Sequence, residues 1–362
     1  MYDDTPIPLR LSELLAPRTT MRVGGLATAL IEAHDNQTVI EAVRWADSKG
    51  LPLHVLGGGS NVVVADTGVH GLVLAMNTRG REMARDGASL LVTARAGETW
   101  DDLVADCVEE GLGGLECLSG IPGSVGATPI QNVGAYGQEV SDTLHTVAVY
   151  DRQTEQVVDL PSAACGFGYR NSRFKRDPEQ RHIVLSVTFR LLPGGTPVLR
   201  YDQLRRQLAE TGDHHPTVRS TRDAVLCLRR AKSMVHAPDD AFSHGCGSFF
   251  TNPIVCPEQA QQVARAAQQE PVGWSTADGR VKLAAAWLIE RAGFARGSRQ
   301  GAVGLSPHHS LAVVNHGGAT ATAVVEFARA VQEAVATRFG IVLHPEPSFW
   351  GFSAFEHRLP VM

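Results

Sequence analysis

Lysine is nearly missing from this chain. It occurs only at 49, 175, 232 and 282, so arginine makes up almost all of the 33 basic residues. Against 38 acidic residues the formal net charge is −5, and there is no run of basic side chains. This excludes a partner held mainly by its phosphate backbone, so no nucleic acid is expected. No CxxC pair exists either. The six cysteines (Cys107, Cys117, Cys165, Cys227, Cys246, Cys256) are scattered, which fits buried reduced thiols better than a disulfide framework or a zinc site. The His pairs 214/215 and 308/309 lack companions at ligand spacing, so no metal is expected. No stretch has the basic start and apolar core of a signal peptide, and no apolar run is long enough to span a bilayer. The expectation is a cytoplasmic protein without membrane insertion.

What is present is a normal globular composition, 43% hydrophobic and 20% charged, over 362 residues. That is enough chain for two or three domains. Residues 36 to 50 place Val39, Ile40, Val43 and Ala46 on one helical face, with Asn36 as N-cap and Gly50 as stop. The runs "VVVA" and "GLVLAMN" read as strands. "TWDDLVADCVEEG" reads as a helix with a Thr99–Asp102 capping box, and "HTVAVYDRQTEQVVDL" as a hairpin. "HIVLSVTFRLLP" closes this strand-rich stretch near 193, and "PGGTP" marks a boundary. Beyond it, helical patterns such as "TRDAVLCLRRAKSMV", "PEQAQQVARAAQQ", "KLAAAWLIERAGF" and "TATAVVEFARAVQEAVATRFG" alternate with short strands such as "SLAVVN".

Two glycine-rich passages stand out. "LPLHVLGGGSNVVVAD" puts Gly57, Gly58 and Gly59 between two apolar runs. It lacks the third glycine of a dinucleotide fingerprint and the G-K-[ST] of a P-loop, so what remains is a strand, a turn with bare amides, and another strand. The second passage, residues 111 to 140, has eight glycines but keeps Ser119, Ser124, Thr128, Gln131 and Asn132. A segment of this kind can lie flat against a polyanionic or planar ligand. Two of them in successive units suggest one long ligand clamped between them.

"GGGSN", then "IPGSVGATPIQNVGAYG", "GYRNSRFK", "GSFFTNP" and a late "PEP" follow in one order from about residue 18 to 352. In this the chain resembles the UDP-N-acetylenolpyruvoylglucosamine reductase family, in its longer type I branch, given "RYDQL" around Tyr201. The resemblance implies an α+β, three-domain flavoprotein with an FAD-binding fold of the vanillyl-alcohol-oxidase type. Residues 1–80 and 81–210 would form the two FAD-binding subdomains and 211–340 an α/β domain for the UDP-sugar, with about 341–362 returning to the first. It implies noncovalent FAD on Gly57, Gly58, Gly59, Ser60 and Asn61, together with Ser119, Gly123, Ser124, Gly126, Thr128, Asn132, Gly134 and Ala135. NADPH would be the hydride donor, UDP-N-acetylglucosamine enolpyruvate the substrate, and the protein a monomer.

Reducing an enolpyruvyl ether places hydride on the methylene carbon and pushes negative charge into the carboxylate, so cations or donors must face it. The resemblance puts Arg170 there, a permanently charged two-point grip, with Glu346, which helps only when protonated or bridged by a donor. Ser248 matches the family's proton donor. Tyr169, Tyr201, Lys232, Asn252 and Lys282 match substrate-side positions. Many relatives carry a basic residue two places after the terminal Glu, where this chain has Ser348. Two other readings predict different things. An oxidase of the same fold would turn over without NADPH, and a nonenzymatic nucleotide-sugar sensor has no need of Arg170, Ser248 and Glu346 together.

Overall fold

The computed structural model describes residues 5–352. The chain divides into two compact units. Of the described residues, the first comprises those up to 13, 27–59 and 70–235, and the second 14–26, 60–69 and those from 236 on. The expected three segments therefore do not map one for one. The stretch 211–235, expected with the substrate domain, groups with the first unit, and two short stretches from the N-terminal region group with the second.

Two sheets organise the first unit. One is four-stranded in the order Arg10–Leu14, Leu26–Ala33, Val69–Met76, Leu53–Leu56. The other has six strands, running from Gln156–Pro161 through Leu144–Asp151, His182–Pro193 and Ser89–Arg95 to Arg81–Asp86, with Leu112–Gly113 beside His182–Pro193. The expected hairpin is present, Leu144–Asp151 pairing antiparallel with Gln156–Pro161. Helix α1 (Asn36–Ser48) buries Val39, Ala42, Val43, Trp45 and Ala46, the face its periodicity indicates. Each large side chain so buried contributes roughly 1.5–3 kcal/mol. Its cap, however, is Asp35, whose carboxylate accepts from Thr38 N at 2.7 Å, not Asn36. Helix α2 (Trp100–Glu109) also departs from expectation, because Thr99 makes no side-chain cap bond. Its backbone pairs with Ser124 instead. Helices α3 (Asp202–Glu210) and α4 (Val218–Ala231) pack Leu204, Leu208, Ala224, Val225 and Leu228 around Cys117 and Tyr136.

The second unit is built on α5 (Pro257–Ala267), α6 (Ala285–Arg291) and α7 (Ala321–Phe339). Two three-stranded sheets accompany them, Ile254–Val255 with Val281–Leu283 and Gly273–Ser275, and Arg299–Gln300 with Val303–Leu305 and Val313–Asn315. Lys282, read as opening a helix, lies in the middle strand of the first of these. Ser348–Trp350 pairs in parallel with Val62–Val64, both within the second unit. Of the late segment expected over about 341–362, residues 353–362 lie outside the described residues. Asp66 holds the start of α7 by accepting from Ala321 N at 2.7 Å and Thr322 N at 2.9 Å.

Four cysteines are buried as expected, while Cys227 and Cys256 are exposed; all six are free thiols. Burial pushes Cys107, Cys117 and Cys246 up to about 12, which makes them inert at neutral pH. Among the described residues no helix is long and apolar enough to cross a membrane.

Candidate flavin and substrate site

The two glycine passages meet. A Cβ on Gly57 would sit 2.2 Å from Ser124 Oγ, and one on Gly58 would sit 2.8 Å from Gly123 Cα. At Gly58 a side chain would force two backbones apart, which is the physical reason for glycine there, whereas at Gly57 it would displace the Ser124 hydroxyl. The second passage is fixed from beneath by residues 96–101. Gly126 N donates to Ala96 O and Val125 N to Glu98 O, both at 2.8 Å, and Trp100 N to Gly123 O at 3.0 Å. The buried Trp100 indole donates to Leu118 O at 3.0 Å. Asp101 accepts from Gly120 N at 2.6 Å and takes a two-point grip from Arg222 of α4 at 2.6 and 3.0 Å. Asp101 is thus pinned to the loop and to α4.

The polar side chains of this passage turn out to shape it. Ser119 Oγ donates to Glu116 O at 2.7 Å and Thr128 Oγ1 to Val125 O at 2.8 Å. Asn132 donates to Glu139 Oε2 at 2.7 Å and Gly168 O at 3.1 Å, and accepts from Ser141 N at 3.0 Å. What the junction offers a ligand is backbone. Side-chain-free glycines brought together, with the hydroxyls turned inward, fit a pyrophosphate approached by amides.

Arg170 sits on a tight turn closed by Gly168 and Asn171, which exchange backbone hydrogen bonds at 3.0 and 3.1 Å. Its own φ is +51°, a left-handed conformation that costs a non-glycine residue roughly 1–2 kcal/mol. The guanidinium donates to Gly134 O at 2.7 Å and lies 5.4 Å from the centre of the Tyr169 ring. Gly134 and Ala135 form a short ladder with Gln138 and Glu139. The turn therefore aims a charged group at the end of the second glycine passage.

Tyr201 and Lys232, far apart in sequence, come together in the first unit. Tyr201 starts α3 and its ring meets Tyr136 edge-on at 5.6 Å, while the Lys232 ammonium lies 5.7 Å from the centre of the same Tyr136 ring and donates to Gln203 Oε1 at 2.8 Å. Tyr136 and Gln203 were missed in the sequence, although Tyr136 stands inside the quoted "NVGAYG". Beside them Arg229 is buried and donates to Met234 O at 2.7 Å. Burial lowers its pKa.

Ser248 and Glu346 belong to the second unit. They lie on neighbouring segments: Glu346 N donates to Phe249 O at 2.8 Å, and Phe250 bridges Pro345 antiparallel. Asn61, expected at the flavin, clamps this same segment. Its side chain donates to Glu346 O at 3.3 Å and its carbonyl accepts from Ser348 N at 3.0 Å. Asn252 and Lys282 are also neighbours, since Leu283 N donates to Pro253 O at 2.9 Å. Asn252 Oδ1 accepts from Ala285 N at 2.9 Å, fixing the start of α6, and Lys282 lies over Trp274 at 5.7 Å. Among the described residues no cluster of three or more His, Cys, Asp or Glu could hold a metal.

A glycine cradle of this kind, beside a strand-rich α+β scaffold, defines an FAD-dependent oxidoreductase. Residues 27–160 match an FAD binding domain, and residues 238–350 match the C-terminal domain of UDP-N-acetylenolpyruvoylglucosamine reductase. The UDP-N-acetylenolpyruvoylglucosamine reductase of Streptomyces avermitilis is 48% identical over 92% of this chain and 92% of its own. That of Pseudomonas aeruginosa is 43% identical over 93% and 97%. The crystal structure of the Thermus caldophilus enzyme superimposes with a TM-score of 0.64 at 25% identity, covering 95% of this chain and 98% of the other. The chain belongs to the UDP-N-acetylenolpyruvoylglucosamine reductase family.

Proposed function

We propose that this chain reduces UDP-N-acetylglucosamine enolpyruvate to UDP-N-acetylmuramate for peptidoglycan synthesis in the cytoplasm, with NADPH as the electron source and noncovalent FAD on the glycine junction. The observation that supports the reading is the hydrogen bond from Glu346 N to Phe249 O, which brings the Glu346 segment against the residue that follows Ser248. FAD, when bound, supplies the hydride. The residues of the chain handle charge and protons. Arg170 holds the enolpyruvyl carboxylate, where charge develops, and its strained turn fixes the guanidinium before substrate arrives. Ser248 gives a proton to the carbon bearing the ether oxygen, and Glu346 supports the same developing charge. Lys232, Tyr201, Asn252 and Lys282 hold the UDP portion.

The two half-reactions separate this from an oxidase. Purified protein should be yellow, NADPH should bleach it without oxygen, and UDP-N-acetylglucosamine enolpyruvate should restore the colour. A colourless protein that takes up no FAD, or a reduced flavin restored by oxygen but not by the sugar, would overturn the reading.

A further inference from the structure

We infer that Tyr136 is a positioning residue for the nucleotide-sugar, a fixed aromatic platform that sets both Tyr201 and Lys232; this rests on the function proposed above. The ladder of Gly134–Ala135 with Gln138–Glu139 leaves only Tyr136 and Gly137 as its turn. Both have positive φ, +49° and +84°. A two-residue hairpin of this hand normally takes Asn, Asp or Gly at its first central position, and a bulky ring there is an outlier that the surroundings must hold in place. Here they do. Tyr136 is 9% exposed and packs with Cys117, Leu204, Leu208, Ala224, Val225 and Leu228.

The chain thus accepts backbone strain to place this ring, and two of the ring's contacts are residues placed on the substrate. The Tyr201 ring stands at 89° to it, and the Lys232 ammonium lies over it. An edge-to-face pair and a cation over a ring are both directional attractions that an aliphatic side chain of similar size cannot supply. Gln203, the second residue of α3, accepts a 2.8 Å hydrogen bond from the same ammonium. The hydroxyl is a poor candidate for proton transfer, since burial pushes it up to about 12. The ring acts by geometry, orienting a phosphate-binding cation and a closing aromatic before substrate arrives. Tyr136 also borders Gly134 and Ala135, so one turn spans the flavin and substrate sides of the site.

A purely structural role predicts a different result, and two variants distinguish them. Tyr136→Phe keeps the ring and should stay within about twofold of wild type in every measurement. Tyr136→Leu keeps apolar bulk but loses both ring attractions. It should raise KM for UDP-N-acetylglucosamine enolpyruvate, and Kd for UDP by titration calorimetry, by about tenfold. A folded, yellow Tyr136→Leu protein with wild-type KM and UDP affinity would overturn the inference, as would equal weakening by Phe and Leu. Wild-type protein that binds neither UDP nor the sugar substrate would overturn the proposed function itself, an outcome visible before any variant is made.

Discussion

The glycine junction of the first unit and the Ser248–Glu346 segments of the second solve opposite problems. The junction works by removing side chains: Gly58 has no room for a methyl group against the Gly123 backbone, and the Ser119 and Thr128 hydroxyls are bonded within their own passage. The second region works by individual side chains hung on irregular backbone, with Asn61 and Phe249 holding the Glu346 segment in place. A backbone site depends on the shape of a whole passage, whereas a side-chain site depends on single functional groups. Substitutions in the two should therefore fail differently.

The largest effect is expected from Ser248→Ala. Loss of a positioned proton donor should slow flavin reoxidation by the sugar by about 10²–10⁴-fold, while stopped-flow reduction by NADPH stays normal; loss of both half-reactions would erase the contrast. Gly58→Ala should do the reverse. Crowding backbone against backbone costs about 1–3 kcal/mol, and the protein should lose FAD on gel filtration and with it both half-reactions. Arg170→Lys should retain flavin yet lower kcat by roughly ten- to a hundredfold, the worth of a charge-assisted bond. Asn61→Ala tests which of the two roles this side chain has. If it matters through Glu346, turnover should fall about fivefold, near 1 kcal/mol, with flavin content unchanged in absorbance spectra; loss of flavin would instead assign Asn61 to the cofactor.

The smallest effect concerns pH. Burial lowers the pKa of His54 in the first unit and of His244 and His316 in the second, with Arg22 adding to the effect at His244 and Arg299 at His316. A base whose folded pKa lies below its unfolded value of about 6.5 leaves stability intact above that pH. Stability is lost as pH falls from there toward the folded value, by up to about 1.4 kcal/mol per unit for each histidine. Melting temperature should therefore drop between pH 7 and 5, before the Arg181-bound carboxylate of Asp151, which is held well below the usual range, begins to titrate. His244→Asn should flatten that slope.

The same contrast explains what was legible in the sequence. Glycine-rich passages announce themselves by composition, so the junction was visible, and the α1 face and the 144–161 hairpin followed from periodicity. A single hydroxyl such as Ser248 carries no pattern of its own and needed the family motif around it. Thr99 and Asp102 had the spacing of a capping box, but tertiary partners won, the Thr99 backbone pairing with Ser124. Ser119, Thr128 and Asn132 have the chemistry of ligand contacts, yet nothing local reveals which way a hydroxyl or amide points. Tyr136 hid because its strained φ exists only in three dimensions. The two early stretches that join the second unit were invisible for the same reason.

Those stretches bear on how the protein comes into being. The chain passes between the two units at 13/14, 26/27, 59/60, 69/70 and 235/236. During synthesis, Val62–Val64 and Asp66 emerge nearly three hundred residues before Ser348–Trp350 and well before α7, the elements they bind. Closing contacts so distant in sequence makes folding slow, and the second unit cannot be complete until Ser348–Trp350 has emerged. A fragment starting at His236 would lack the strand Val62–Val64 and the Asp66 carboxylate that binds the start of α7. Such a fragment is an incomplete fold, whatever a linear domain boundary suggests.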